Sequence, residues 1–413
     1  MAATWQVSGK VMLEENETEG QKKSRALAGV EVKVSASLTA GVYDSWGTTR
    51  TKADGSFTLK ETISVLFPEK PRKFRVRVCL DSDKLAVTTG LLADPLAGDW
   101  ITIYESDGKL EGPRVNIGTR TFKAGAKDDL GDLERRRQAI AWYVCRTIME
   151  ALTAKDKWLG FQKKVTIVYP ARVVSGIPYA NGVTRMAYIH STKGNDWWSL
   201  STLVHEFMHL WNYQHNHGTS NWLQAICDGS THSYQEKPAI AFHEGFAEYA
   251  MEDMLHQLWQ HDKVQPWNRK NFKNGDGQRL DSLATVEGSD DGVTNALHLL
   301  TTPDIYTRFF GTRTSAEPAA TNGKEAGYKT PSGVVCPKSP NLTLWDVLKV
   351  FKPAPTSGWK NEWEVGNSAY GVVRFFERAS DVLPRFDTET KDLYLKLVDP
   401  SSTAEPQDRC RAK

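Results

Sequence analysis

The chain changes its hydrophobic period partway along. From residue 5 to about 105, apolar and polar side chains alternate: Val30, Val32 and Val34 against Glu31 and Lys33, then Phe74, Val76, Val78 and Leu80 against Arg75 and Arg77. A period of two is that of a strand with one buried face, so residues 5–13, 29–38, 48–61 and 73–80 are predicted as strands. Ala53-Asp54-Gly55-Ser56 carries the Asp-Gly signal of a tight hairpin turn. The pattern predicts a small all-β sandwich over residues 1–110.

Residues 105–125 turn polar and Gly-rich and read as a linker. Beyond them the period is helical: Leu133, Ile140, Ala141, Val144, Ile148 and Leu152 recur at helical spacing over 129–154. Residues 164–169 and 184–189 read as strands, and 199–213 and 238–260 as helices, the second opened by Pro238. A Gly/Pro/Ser/Thr-rich stretch at 311–342 is expected to be a long loop. Helical patterns return at 342–351, 368–383 and 388–397. The expected fold is therefore multidomain: the sandwich, then an α+β domain over 120–413 with C-terminal helices.

Composition narrows the partners. Of 413 residues, 52 are Lys or Arg and 50 Asp or Glu, a formal charge of +2 with no long block of one sign. Nucleic acid and anionic membrane are not indicated. No apolar run is long enough to span a bilayer, and the opening MAATWQVSGKV lacks the pattern of a secretory leader. The expected location is cytoplasmic, or outside the cell by a non-classical route. Five widely spaced cysteines without a C-x-x-C suggest free thiols rather than a disulfide framework.

The chemistry concentrates in Thr202-Leu203-Val204-His205-Glu206-Phe207-Met208-His209-Leu210-Trp211. Histidines at i and i+4 share one helix face and can grip one metal ion, with the intervening Glu beside it as a base. Such motifs also arise by chance on surface helices. Here Leu200, Leu203, Val204, Phe207, Met208, Leu210 and Trp211 wrap the helix in apolar side chains, so the polar trio is expected inside, where a metal is its simplest partner. Two candidates remain for the third ligand. Glu244, in His243-Glu244-Gly245-Phe246-Ala247-Glu248, would come from the next helix. His215 has the spacing of H-E-x-x-H-x-x-G-x-x-H, with Asn212 where that pattern places a turn-forming Gly.

Two resemblances follow from these residues. Val7-Ser8-Gly9-Lys10-Val11, Gly29-Val30-Glu31-Val32 and Thr51-Lys52-Ala53-Asp54-Gly55-Ser56-Phe57 resemble the carboxypeptidase regulatory-like, transthyretin-like sandwiches, which implies an accessory module without chemistry of its own. The H-E-x-x-H with the downstream E-G-F-A-E resembles the gluzincin metallopeptidases, the aminopeptidase N and thermolysin clan. That resemblance implies a zincin-like catalytic domain, Zn2+ held by His205, His209 and Glu244, Glu206 as general base, Glu248 as the carboxylate orienting a ligating His, and a polypeptide substrate. The 34 residues between His209 and Glu244 exceed the family's spacing and imply an insertion within 215–237. No G-x-M-E-N segment is present to capture a free amine, which favours endopeptidase over aminopeptidase action.

An oxyanion donor is expected beyond the third ligand. Tyr370, before an apolar Gly-containing segment, resembles the aminopeptidase tyrosine; His298 and Tyr306 are further candidates. Residues 184–189 are the candidate strand for pairing with a peptide. Asp276, Asp281, Asp290 and Asp291 read as a solvated turn. A second metal site at His215, His217, His232 and His243 is disfavoured, and Trp197, Trp198, Trp211 and Trp222 read as core packing as readily as a subsite. The rival functional class is a catalytically inactive zincin scaffold that acts as a binding or effector protein through its sandwich.

Overall fold

The structure is a computed structural model. It describes residues 2–15, 23–39, 42–64, 73–89, 99–106, 112–123, 130–172, 177–192, 195–215, 238–261, 288–301, 317–321, 324–329, 335–337, 342–352, 371–388, 390–392 and 395. Sheets and helices are mixed, and the chain divides into two compact units. One is Met1–Ala151 with Phe161–Leu210, the other Leu152–Gly160 with Trp211–Lys413.

The first unit opens with two four-stranded sheets. In one, β1 (Ala2–Glu15) pairs antiparallel with β2 (Lys23–Ala26) and β5 (Ser56–Ser64) and parallel with β9 (Arg114–Phe122). In the other the order is β4 (Val42–Arg50), β3 (Glu31–Thr39), β6 (Lys73–Cys79), β8 (Trp100–Glu105). The alternating apolar residues are the buried ones: Val7, Val11, Leu13, Phe57, Val32, Val34, Phe74, Val76 and Val78 are all shielded from solvent.

Three details differ from the sequence reading. The turn at Ala53-Asp54-Gly55 exists, with Gly55 at φ +80° and the Asp54 carboxylate accepting from the Ser56 N–H at 3.0 Å. It is no hairpin, because it carries the chain from β4 in one sheet to β5 in the other. The supposed linker holds β9, whose buried Ile117 and Phe122 are diluted by exposed Arg114, Asn116, Thr119 and Thr121. And β7 (Leu85–Thr88) joins neither of these two sheets.

Instead β7 edges a further sheet, ordered β11 (Tyr179–Asn181), β12 (Met186–Thr192), β10 (Val165–Ala171), β7. β10 is parallel to both β7 and β12 and wholly buried, the apolar run a two-faced parallel strand requires. Two residues, β13 (Asn195–Asp196), extend the end of β12. Helix α1 (Leu130–Lys155) ties these layers together. Arg136 donates to the Glu14 carbonyl at 3.1 Å, and Gln138 to the Tyr169 carbonyl at 2.9 Å. Its buried Cys145 is a free thiol, and the Cys79 thiol of β6 is pushed up to about 12 by burial, so neither is poised for reaction.

Helix α2 (Leu200–His215) is capped by Ser199, whose hydroxyl accepts from the Thr202 N–H at 2.9 Å. In the second unit stand α3 (Pro238–Trp259), α4 (Asp290–Thr301), α5 (Leu344–Lys349) and α6 (Val372–Val382). Trp211 of α2 stacks on Phe246 of α3 at 5.8 Å, Phe246 meets Phe351 at 5.0 Å, and Phe351 meets Phe375 of α6 at 5.6 Å. This aromatic cluster is the core of the unit. The expected loop 311–342 contains three short antiparallel strands, β14 (Glu317–Thr321), β15 (Lys324–Lys329) and β16 (Val335–Pro337), too short and too rich in small residues for their alternation to stand out. Among the described residues no helix is long and apolar enough to cross a membrane.

Candidate metal centre

The apolar wrap of α2 decides where its polar residues go. Leu203, Val204, Phe207, Met208, Leu210 and Trp211 are all buried, and they draw Glu206 and His209 in with them, at 7% and 5% exposed. His205 stays half-buried. One turn apart, the two imidazoles meet edge to face with ring centroids 4.6 Å apart, and their Nε2 atoms lie 3.0 Å from each other. Two histidines with converging Nε2 atoms are set for a common ligand rather than for solvent.

Glu244 completes the set. One ligand atom each from His205, His209 and Glu244 lies within 4.8 Å of the others, the one group of three such side chains among the described residues. Ligands bonded to one zinc at ~2.0–2.2 Å stand about 3.4 Å apart, so the spacing is of the right size. Two imidazoles and a carboxylate are also the donor types of a three-ligand zinc site with a position left open.

The local sequence explains how α3 presents Glu244. Gly245 lies so close to α4 that an added Cβ would stand 2.5 Å from the Asp290 carbonyl oxygen and 2.7 Å from the Val293 Cβ. Thr294 donates to the Gly245 carbonyl at 3.0 Å. The glycine after the candidate ligand is thus the crossing point of two helices. Glu248 follows Glu244 by one turn and is half-buried, on the same side of α3.

His215 is placed otherwise. α2 continues unbroken through Asn212, so the turn the longer histidine motif requires does not form. The His215 ring stacks on Trp211 at 4.3 Å, with Nδ1 2.9 Å from the Trp211 carbonyl and Nε2 3.0 Å from the Trp158 carbonyl. Both nitrogens are spent on the backbone.

His298 also sits apart from the metal group. Its Nε2 pairs with the Glu252 carboxylate, eight residues beyond Glu244 and so about 12 Å farther along α3. Tyr370, Tyr306, His217, His232, Trp222, Asp276 and Asp281 lie outside the described residues. Asp290 and Asp291, expected in a solvated turn, form the first turn of α4, where carboxylates suit the helix dipole. Trp198 and Trp211 are buried and Trp197 is exposed. The strand expected to receive a peptide is occupied: over Met186–Tyr188, β12 is paired with β10 on one side and β11 on the other. The short β11 is the edge.

Two residues of this neighbourhood have roles the sequence reading did not assign them. Gly245 carried a signal, a glycine inside an apolar helical pattern, which marks close packing. Asn212 did not, since only the fold shows its amide buried and bonded to His243, with Nδ2 to Nδ1 at 3.0 Å.

No protein-family model matches the chain, and no curated protein sequence does. Among solved structures, a 9R-lipoxygenase from Cyanothece is similar over 37% of this chain and 23% of its own, at 15% identity and a TM-score of 0.21. The major plantain pollen allergen Pla l 1 is similar over 29% of this chain and 92% of its own, at 14% identity and a TM-score of 0.19. Likeness at this level carries no argument about fold or function.

Proposed function

We propose that the chain is a zinc-dependent metallopeptidase of the gluzincin type, with His205, His209 and Glu244 as the metal ligands. The observation that carries the reading is the convergence of those three side chains with the buried Glu206 beside the first of them. Held there, zinc would lower the pKa of a coordinated water to ~7 and polarise a peptide carbonyl. Glu206 accepts the proton of the attacking water and returns it to the leaving nitrogen as the C–N bond breaks, so acid and amine products balance. Burial on the apolar helix fixes its carboxylate and keeps bulk water from competing for the proton. Glu248 orients a ligating imidazole, and Tyr370 donates to the developing oxyanion. With no amine-capturing segment in the sequence, the reading is endopeptidase.

The test compares the wild type with Glu206→Gln on a broad peptide library, with zinc counted in both. The expected result is cleavage lowered by ~10²–10⁴-fold at unchanged zinc content. Equal cleavage by both proteins refutes the mechanism, and absence of cleavage by zinc-loaded wild type favours a scaffold that binds without hydrolysing. Tyr370→Phe is expected to lower kcat by ~10²–10³-fold while KM and zinc content hold.

A further inference from the structure

Asn212 lies seven residues after His205 and three after His209, on the α2 face that carries both imidazoles. It is fully buried, and a buried amide costs more than an apolar side chain of its size unless it is hydrogen-bonded. Its Nδ2 meets His243 Nδ1 at 3.0 Å. Its Oδ1 is buried without a hydrogen-bond partner among the described residues. The contact with His243 is therefore what the amide is for.

An amide nitrogen only donates, so Nδ1 of His243 must accept, which leaves the ring proton of the neutral imidazole on Nε2. His243 immediately precedes Glu244 on α3. Successive helical side chains project about 100° apart, so a side chain locked to α2 sets the rotation of α3 about its axis and with it the direction of the next.

We infer that Asn212 is a positioning residue of the metal group: by its hydrogen bond to His243 it sets the turn of α3 that delivers Glu244. The inference rests on the metal reading of His205, His209 and Glu244.

The experiment uses the full chain. The imidazole nitrogens of 15N-histidine-labelled, metal-free protein are read by NMR, and zinc affinity and the visible spectrum of the cobalt-substituted protein are measured for wild type, Asn212→Ala and Asn212→Asp. Wild type should show His243 with Nδ1 unprotonated. Asn212→Ala should bind zinc about 10–100-fold more weakly, the usual effect of losing an outer partner of a ligand, with an altered cobalt spectrum. Asn212→Asp fills the same volume but can only accept, so the His243 proton should move to Nδ1 while zinc binding falls less than in the alanine variant.

A protonated Nδ1 in wild type, or wild-type zinc affinity in folded Asn212→Ala, overturns the role. Should the alanine variant not fold, an unmoved proton in Asn212→Asp overturns it. Wild type that takes up no zinc refutes the metal reading and the role with it; zinc-binding wild type with an indifferent Asn212→Ala refutes the role alone.

Discussion

Four side chains of similar polarity meet different ends within two helices. Glu206 and His209 are buried because α2 is apolar on nearly every side. His215, on the same helix, gives both ring nitrogens to backbone carbonyls of Trp211 and Trp158, whereas Glu244 arrives from α3 to face the imidazole pair. The consequence is a clean contrast between two variants. Glu244→Ala should lose bound zinc at near-wild-type folding, as one of the three proposed ligands is gone. His215→Ala should keep zinc and lose about 2–4 kcal/mol of stability, from a backbone hydrogen bond and an aromatic stack in the core. Zinc content by metal analysis and unfolding by denaturant check both; zinc lost only from His215→Ala would replace the proposed ligand set. The H-E-x-x-H residues were legible because both the spacing and the apolar wrap sit within one helix. The preference for Glu244 over His215 was also in the sequence, in an E-G-F-A-E-Y segment with no other role and an Asn where the rival motif wants Gly; that α2 runs on through Asn212 is what only the fold shows.

At the scale of elements, glycine is the telling residue. Gly245 permits α3 and α4 to approach until no Cβ would fit between them, and Thr294 bonds back to its carbonyl. Gly245→Ala should cost ~1–3 kcal/mol by overpacking. Because it displaces the helix one residue from Glu244, it should also weaken zinc binding. Thermal unfolding and zinc titration read the two effects, and an unchanged Tm would mean that the helices are not in contact there. Gly55 shows the limit of local reasoning. Its positive φ was foreseeable from Asp-Gly, but a turn says only that the chain reverses, not which sheet receives the next strand. Likewise β9 was hidden because an edge strand buries few side chains and periodicity detects only buried faces, and β14 to β16 because they are short and rich in small residues.

For the whole molecule, stability carries a pH signature from a residue outside the metal group. His190 on β12 is 1% exposed, and burial holds its pKa below the ordinary histidine value. The folded chain then binds this proton less readily than the unfolded one. The associated stability is complete above about pH 6.5 and is lost as pH falls from there toward the depressed value. His190→Asn, which cannot titrate, should show a smaller drop in Tm between pH 7 and pH 5.5 than wild type; an equal drop would assign the acid sensitivity elsewhere. The sequence alone determined the strands with one buried face, the long helices and the apolar wrap of α2 that buries Glu206 and His209, because each is written in contacts a few residues apart. Tertiary structure decided that β7 leaves its neighbours to edge a sheet with β10 and β12, that β12 is closed on both sides, and that a carboxylate 35 residues past His209 meets the imidazoles. Those pairings join distant parts of the chain, and the free energy that selects them belongs to packing between elements rather than to the pattern within any one of them.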